Sequence, residues 1–311
     1  MKNLKGSLLL FIAAFFWGTT FVAQVSGSDH MGVFTYNAGR CFVGFLFLFL
    51  VVLLKDKTGI LSKREKQGTF NQNVKAGGWP IKGGILCGLV LFLAMSAQQA
   101  GIALYPKEVA AAGRSGFLTA TYVVIVAVIT AIIGRKLQGL VLLSVIGTIC
   151  GMYLLCMKEG FSGIYTGDLL SIACAFCFAG HILVVDKYRH VDSIKLSCIQ
   201  FLVSGILALI MCLATEKIVL ADILAAAGPI LYAGILSSGV AYTLQMVGQK
   251  YAEPAVAAIV MSMESVIAVL AGAVLLNEVL AGREIAGCVV VFVSVIVAQI
   301  PDFLAPANKE K

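Results

Sequence analysis

Charge is scarce in this chain. Only 13% of its 311 residues are Asp, Glu, Lys or Arg, against 60% hydrophobic residues, and mean hydropathy is +0.97. A water-soluble chain of this size needs far more polar surface, which excludes a soluble enzyme. Proline is sparse as well, with six residues, so long helices can run uninterrupted. Histidine occurs three times and forms no cluster with cysteines or acids, so neither a metal nor another cofactor is expected. The nine cysteines fall inside hydrophobic segments. Even Cys174 and Cys177, spaced as a C-x-x-C, lack a second pair and read as small buried apolar side chains.

What the chain does have is length of apolar run. About 20 apolar residues span a bilayer core as a helix. That ruler predicts ten helices, at 6–25, 33–54, 82–104, 108–133, 138–157, 167–187, 195–215, 226–249, 254–276 and 281–300. The expected class is an all-α polytopic membrane protein. The first segment reads as a retained helix rather than a cleaved signal, since no small-residue cleavage site follows it. Residues 55–81 read as a solvated linker, and 301–311 as a short polar tail.

The pattern repeats. Gly6, Leu8, Leu9, Ala14, Phe15 and Trp17 match Gly167, Leu169, Leu170, Ala175, Phe176 and Phe178 at a constant offset of 161 (167 − 6). Two five-helix repeats are expected, 1–160 and 161–300. Five crossings return the chain on the side opposite its entry, so the second copy lies inverted. Inverted repeats build many secondary transporters, with the substrate site at the repeat interface near mid-bilayer.

The net charge of +7 could suggest nucleic acid, but its placement assigns it to topology. Every loop Lys or Arg except Lys107, Lys158, Lys217 and Arg283 falls on one side of this arrangement. The positive-inside rule makes that side, with both termini, cytoplasmic.

Charged and polar groups at membrane depth face a bundle interior or a water-filled cavity. Arg40 and Arg114 sit in the outer half of the second and fourth helices, Glu264 near the middle of the ninth, and His181 in the inner half of the sixth. Asn37 shares a helical stripe with Arg40, and Tyr242 shares one with Gln245. Aligning Tyr105 with Tyr251 sets Gln99 opposite Gln245. Trp17 is a further candidate wall residue. An ion pair between Arg114 and Glu264 is the structural alternative for those two, and a packing role the alternative for His181.

These residues resemble the EamA-type ten-helix members of the drug/metabolite transporter superfamily. Ala14-Phe15-Phe16-Trp17-Gly18-Thr19 is similar to that family's first helix, and Phe34 to Arg40 to its second-helix entry. Gly116-Phe117-Leu118-Thr119 resembles a fourth-helix pattern, while Glu264-Ser265-Val266 and Leu276-Asn277-Glu278 stand where Glu-Pro-Val and Leu-Gly-Glu are usual. Two departures are Ser265 in place of proline and a first helix without an acid. The second removes support for the proton–drug antiport of the four-helix relatives.

The resemblance implies a plasma-membrane secondary transporter of small metabolites, commonly exporting amino acids or related compounds. The expected partners are that small molecule and the lipid bilayer, with no nucleic acid; oligomeric state is not readable. Arg40, Arg114, Glu264, Gln99, Tyr242, Gln245, Asn37, Trp17 and His181 are the candidate substrate residues. Arginines toward the outside and Glu264 near the centre suit an amino-acid-like zwitterion. Two other readings are a rhomboid-like protease using Ser115 in Gly113-Arg114-Ser115-Gly116 with His181, and a membrane scaffold without transport. A channel lacks a repeated filter or ring of charges.

Overall fold

The computed structural model describes residues 2–58, 78–106, 111–134, 139–156, 165–276 and 282–304. Most of the 55–81 linker, the 135–138 and 277–281 connections and the tail from 305 lie outside the described residues. The described chain is helical throughout: α1 Lys2–Ser28, α2 Val33–Thr58, α3 Ile81–Ala103, α4 Ala111–Ala120, α5 Tyr122–Ile132, α6 Gly139–Cys156, α7 Thr166–Lys187 and α8 Ser193–Thr215. There follow α9 Leu220–Ala225, α10 Ala227–Tyr232, a π-helical segment Ala233–Ala241, α11 Tyr242–Gly248, α12 Pro254–Met261, α13 Met263–Leu276 and α14 Gly282–Leu304. Eight helical stretches are long and apolar enough to cross a membrane, and 139–154 and 285–298 are shorter apolar helices.

Three prolines stand where helices begin. Pro80 caps α3, Pro229 lies in the first turn of α10 and Pro254 is the first residue of α12, where a missing N–H leaves no helical bond unmade. Leucine, isoleucine and phenylalanine side chains such as Leu50, Ile132, Leu143, Phe176 and Leu213 point outward and exposed. That belt suits lipid rather than water.

Three interruptions depart from the expected straight helices. The fourth is divided at Thr121, whose hydroxyl donates to the Leu118 carbonyl at 2.6 Å. The ninth is divided at Ser262, whose hydroxyl donates to the Ile259 carbonyl at 2.7 Å. In both, a local hydroxyl–carbonyl bond competes with the helical ladder. The eighth carries the π-helical segment, which widens the helix and turns its side chains out of α register.

α2 and α8 run antiparallel along their length. At one end Glu216 accepts bonds from the Phe34 and Thr35 amides, both at 2.8 Å, and from the Thr35 hydroxyl at 2.7 Å. At the other end Lys55 pairs with Asp192 at 2.7 Å and Lys195 with Asp56 at 3.2 Å. The first end defines the Ser28 face, where α1 ends; the second defines the Lys2 face, where α1 begins. α3 packs on α7 and α8, α2 on the π segment, α1 on α13, and α6 on α14.

Close helix crossings are made by glycine. A Cβ on Gly6 would lie 3.0 Å from the Gly248 carbonyl, and one on Gly248 3.1 Å from that of Gly6. Gly101 and Gly167 meet reciprocally in the same manner, at 3.1 and 2.7 Å. These two crossings bring the backbones of α1 and α11, and of α3 and α7, into direct contact.

Candidate functional site

The packing leaves a cavity between α1, α2, α3, α5, α7, the π segment, α11, α12 and α13. Its polar wall is formed by Thr20, Gln24, Arg40, Gln98, Ser237, Gln245 and Glu264; Trp17, Phe21, Tyr122, Phe178, Ile182, Tyr242 and Met261 supply the apolar and aromatic remainder. The free space for water centres is about 40 Å³. A water needs roughly 10–15 Å³ on that measure, so the cavity admits a few waters.

An arginine and a glutamate face this space, neither with an ion-pair partner among the described residues. Arg40 is 3% exposed and Glu264 6%. Tyr122 donates its hydroxyl to Glu264 Oε1 at 3.1 Å. Among the described residues no carboxylate pairs with Arg40 and no cation pairs with Glu264. The Arg40 guanidinium stands 5.7 Å from the centre of the Tyr36 ring. Arg40 Nε, Trp17 Nε1 and Gln245 Oε1 are buried without hydrogen-bond partners. An unmade bond at a buried donor or acceptor costs about 1–3 kcal/mol, more for a charged group. Two unpartnered donors, one unpartnered acceptor and the Glu264 carboxyl thus belong to the wall of one small space.

Tyr242 is the aromatic keystone. Its ring centre lies 4.8 Å from Trp17, 5.3 Å from Phe201 and 5.8 Å from His181, each edge-on. It follows directly on the π segment, whose Gly234 accommodates α2: a Cβ there would meet Val43 and lie 3.0 Å from the Arg40 carbonyl.

The nine sequence candidates divide between wall and surroundings. Trp17, Arg40, Tyr242, Gln245 and Glu264 line the cavity. Gln99 lies behind it and donates to the Gln24 carbonyl at 3.0 Å and to Ser28 Oγ at 2.6 Å. Asn37 joins α2 to α3 by donating to the Met95 carbonyl at 3.2 Å. His181 meets Gln200 through Nε2 at 3.0 Å, with the Tyr242 ring beside it. Arg114 is engaged elsewhere.

Near the Ser28 face, Arg114 Nε and Nη2 donate to Asp168 at 2.6 and 2.8 Å. Tyr105 OH and the Tyr165 amide also donate to that carboxylate, at 2.8 and 2.9 Å, and the Tyr165 ring lies under the guanidinium. Burial pushes the Tyr105 hydroxyl well above its ordinary titration range. The expected alternative pairing of Arg114 with Glu264 therefore does not form: Asp168 takes the arginine and Tyr122 takes the glutamate.

The Gln99–Gln245 correspondence is corrected by one residue. With Gly101 opposite Gly248, Gln98 falls opposite Gln245, and these two line the cavity together. Thr20, Gln24, Gln98, Tyr122 and Ser237 were not among the sequence candidates. Only the adjacency of Gln98 to Gln99 hinted at any of them. The protease pair is not assembled either: Ser115 Oγ meets Ser171 Oγ at 3.1 Å, while His181 is bonded to Gln200.

Comparison with known proteins gives a consistent result. The profile of the EamA-like transporter family matches residues 4–157 and again 165–299. An uncharacterized transporter from Archaeoglobus fulgidus is 26% identical over 96% of this chain and 87% of its own length. A protein solved by crystallography, 17% identical, superposes with a TM-score of 0.73 over 95% of this chain and 96% of that one. That likeness concerns the fold.

Proposed function

Because the chain belongs to the EamA-like transporter family, and is thus a multi-pass membrane transporter, we propose that it moves amino-acid-like zwitterions across the plasma membrane by alternating access. The observation that carries this reading is the unpaired Arg40 and Glu264 in one cavity. A buried charge without a partner is strongly unfavourable. A substrate with a carboxylate and an ammonium supplies both partners. Arg40 and Trp17 Nε1 would receive the carboxylate, and Glu264 and Gln245 Oε1 the ammonium. The aromatic walls would accommodate the side chain.

Ten membrane helices in two inverted repeats, 1–160 and 161–300, provide the mechanical frame of this proposal. The two family matches support the division. The clamps between α2 and α8 support the inversion. Glu216 on Thr35 and Asp56 on Lys195 are the same contact displaced by 160 residues in both members, at opposite ends of the pair. The symmetric interruptions support it too: Thr121 bonds Leu118 as Ser262 bonds Ile259, each displaced by 141. The Lys2 face would be cytoplasmic, as the placement of lysine and arginine requires. A cavity holding only a few waters represents a contracted state between the two open ones, and export is the proposed direction.

The test is uptake of radiolabelled amino acids into liposomes containing the purified protein. Arg40→Gln and Glu264→Gln are each expected to reduce uptake at least tenfold, since losing one partner of a buried charge pair removes about 2–5 kcal/mol. Uptake unchanged by both substitutions would overturn the site.

A further inference from the structure

Resting on that transporter reading, we propose that His181 and Gln200 form a second substrate station, closed in this conformation and lining the cavity once it opens toward the Lys2 face. The equivalence comes from packing. Gly234 in the π segment lies against the Arg40 carbonyl and Val43, and Gly88 in α3 lies against the Gln200 carbonyl and Val203. Arg40 to Gln200 and Val43 to Val203 are both steps of 160. The 161-residue offset of the first helices sets Thr20 opposite His181, Trp17 opposite Phe178 and Phe21 opposite Ile182.

Occupation of these positions is one-sided. Trp17 and Phe178 both line the cavity, as do Phe21 and Ile182. Thr20 and Arg40 line it, whereas their counterparts His181 and Gln200 are fully buried outside it. The cavity is therefore displaced toward the Ser28 face, and its mirror position is closed. Exchange of the two repeats' conformations, the motion that inverted repeats permit, opens the mirror position.

The closed position is chemically unfinished. His181 Nδ1 and Gln200 Nε2 are buried without hydrogen-bond partners. With Gln200 Oε1 accepting from His181 Nε2–H, the pair keeps one free acceptor and one free amide donor. That set fits an ammonium and a carboxylate, but without the full charge Arg40 brings. The Tyr242 ring packs against Trp17 in the cavity wall and against His181, and so partitions the two. Tyr242 is the first residue after the π segment. A π turn returning to α register there rotates the ring and removes the partition.

The pair binds its substrate by neutral groups, so the protein holds a carboxylate more weakly at the Lys2 face. A sided measurement tests this, with a tritiated pool of L-amino acids taken up by inverted vesicles (Lys2 face outward) and by spheroplasts (Ser28 face outward). Gln200→Arg is expected to lower KM about tenfold in inverted vesicles, and to move it less than twofold in spheroplasts. Equal effects on both sides, or none where Arg40→Gln abolishes transport, overturn the second station. Transport indifferent to Arg40→Gln and Glu264→Gln overturns the transporter site instead. Should Gln200→Arg fail to fold, wild-type protein gives the answer. Acylation of His181 by diethyl pyrocarbonate, followed by peptide mass spectrometry, is expected to slow severalfold with the amino-acid pool present, while exposed His30 and His190 react unchanged. Unaltered labelling of His181 overturns the proposal.

Discussion

At the scale of single residues, the two membrane-depth arginines have opposite fates. Arg114 is satisfied by Asp168 and the Tyr165 ring, while Arg40 waits on a cavity. Asp168→Asn is expected to destabilise the protein by about 3 kcal/mol, because it strands a largely buried guanidinium. Thermal unfolding in detergent reads this, and adding Arg114→Met to Asp168→Asn is expected to recover most of the loss. Arg40→Gln deletes an unpaired buried charge and is expected not to lower stability, yet it removes the rise in unfolding temperature that a bound amino acid gives wild type. Sequence depth identified both arginines as interior. It could not assign their partners, because a partner is chosen by neighbouring helices: Asp168 lies 54 residues from Arg114 and Tyr122 lies 142 from Glu264. Gln98 was missed for a subtler reason. Tyr105 and Tyr251 align one residue out of step with the glycine crossings, and only the crossings fix which glutamine faces inward.

At the scale of elements, hydropathy placed the long helices to within a few residues but not their interruptions or the short α9, Leu220–Ala225. Thr121 and Ser262 are ordinary residues in apolar runs, and their effect depends on a hydroxyl turned back to a carbonyl three residues before. The π segment is equally silent in composition, apart from Gly234 and Gly239, which let α2 approach. Thr121→Val and Ser262→Val delete the competing bonds and favour straight helices. Transport is expected to slow severalfold in turnover with KM little changed, measured by initial rates in liposomes. Gly234→Ala pushes a methyl into Val43 and the Arg40 carbonyl, and is expected to lower stability by about 1–3 kcal/mol.

At the scale of the molecule, the two ends are held by different chemistry. The Ser28 face has Glu216 on backbone amides and the Asp168 cluster; the Lys2 face has the Lys55–Asp192 and Asp56–Lys195 pairs. Burial disfavours the Asp192 charge, yet Lys55 and the backbone amides of Lys195 and Ile194 hold its carboxyl below its ordinary value. A carboxylate lowered on folding stabilises fully above pH about 4, and its contribution disappears as pH falls through the folded value. The gap in unfolding temperature between wild type and Asp192→Asn should therefore narrow from pH 6 to pH 3. The glycine crossings carry a mechanical consequence of their own. At Gly6–Gly248 and Gly101–Gly167 two backbones touch with no side chain between them, one contact at each end of the bundle, so each serves as a fulcrum. A helix of 22 residues is about 33 Å long. A swing of about 10° around one fulcrum carries its far end roughly 6 Å, given that length. That displacement is about the width of an amino acid, produced at one mouth while the other stays pinned.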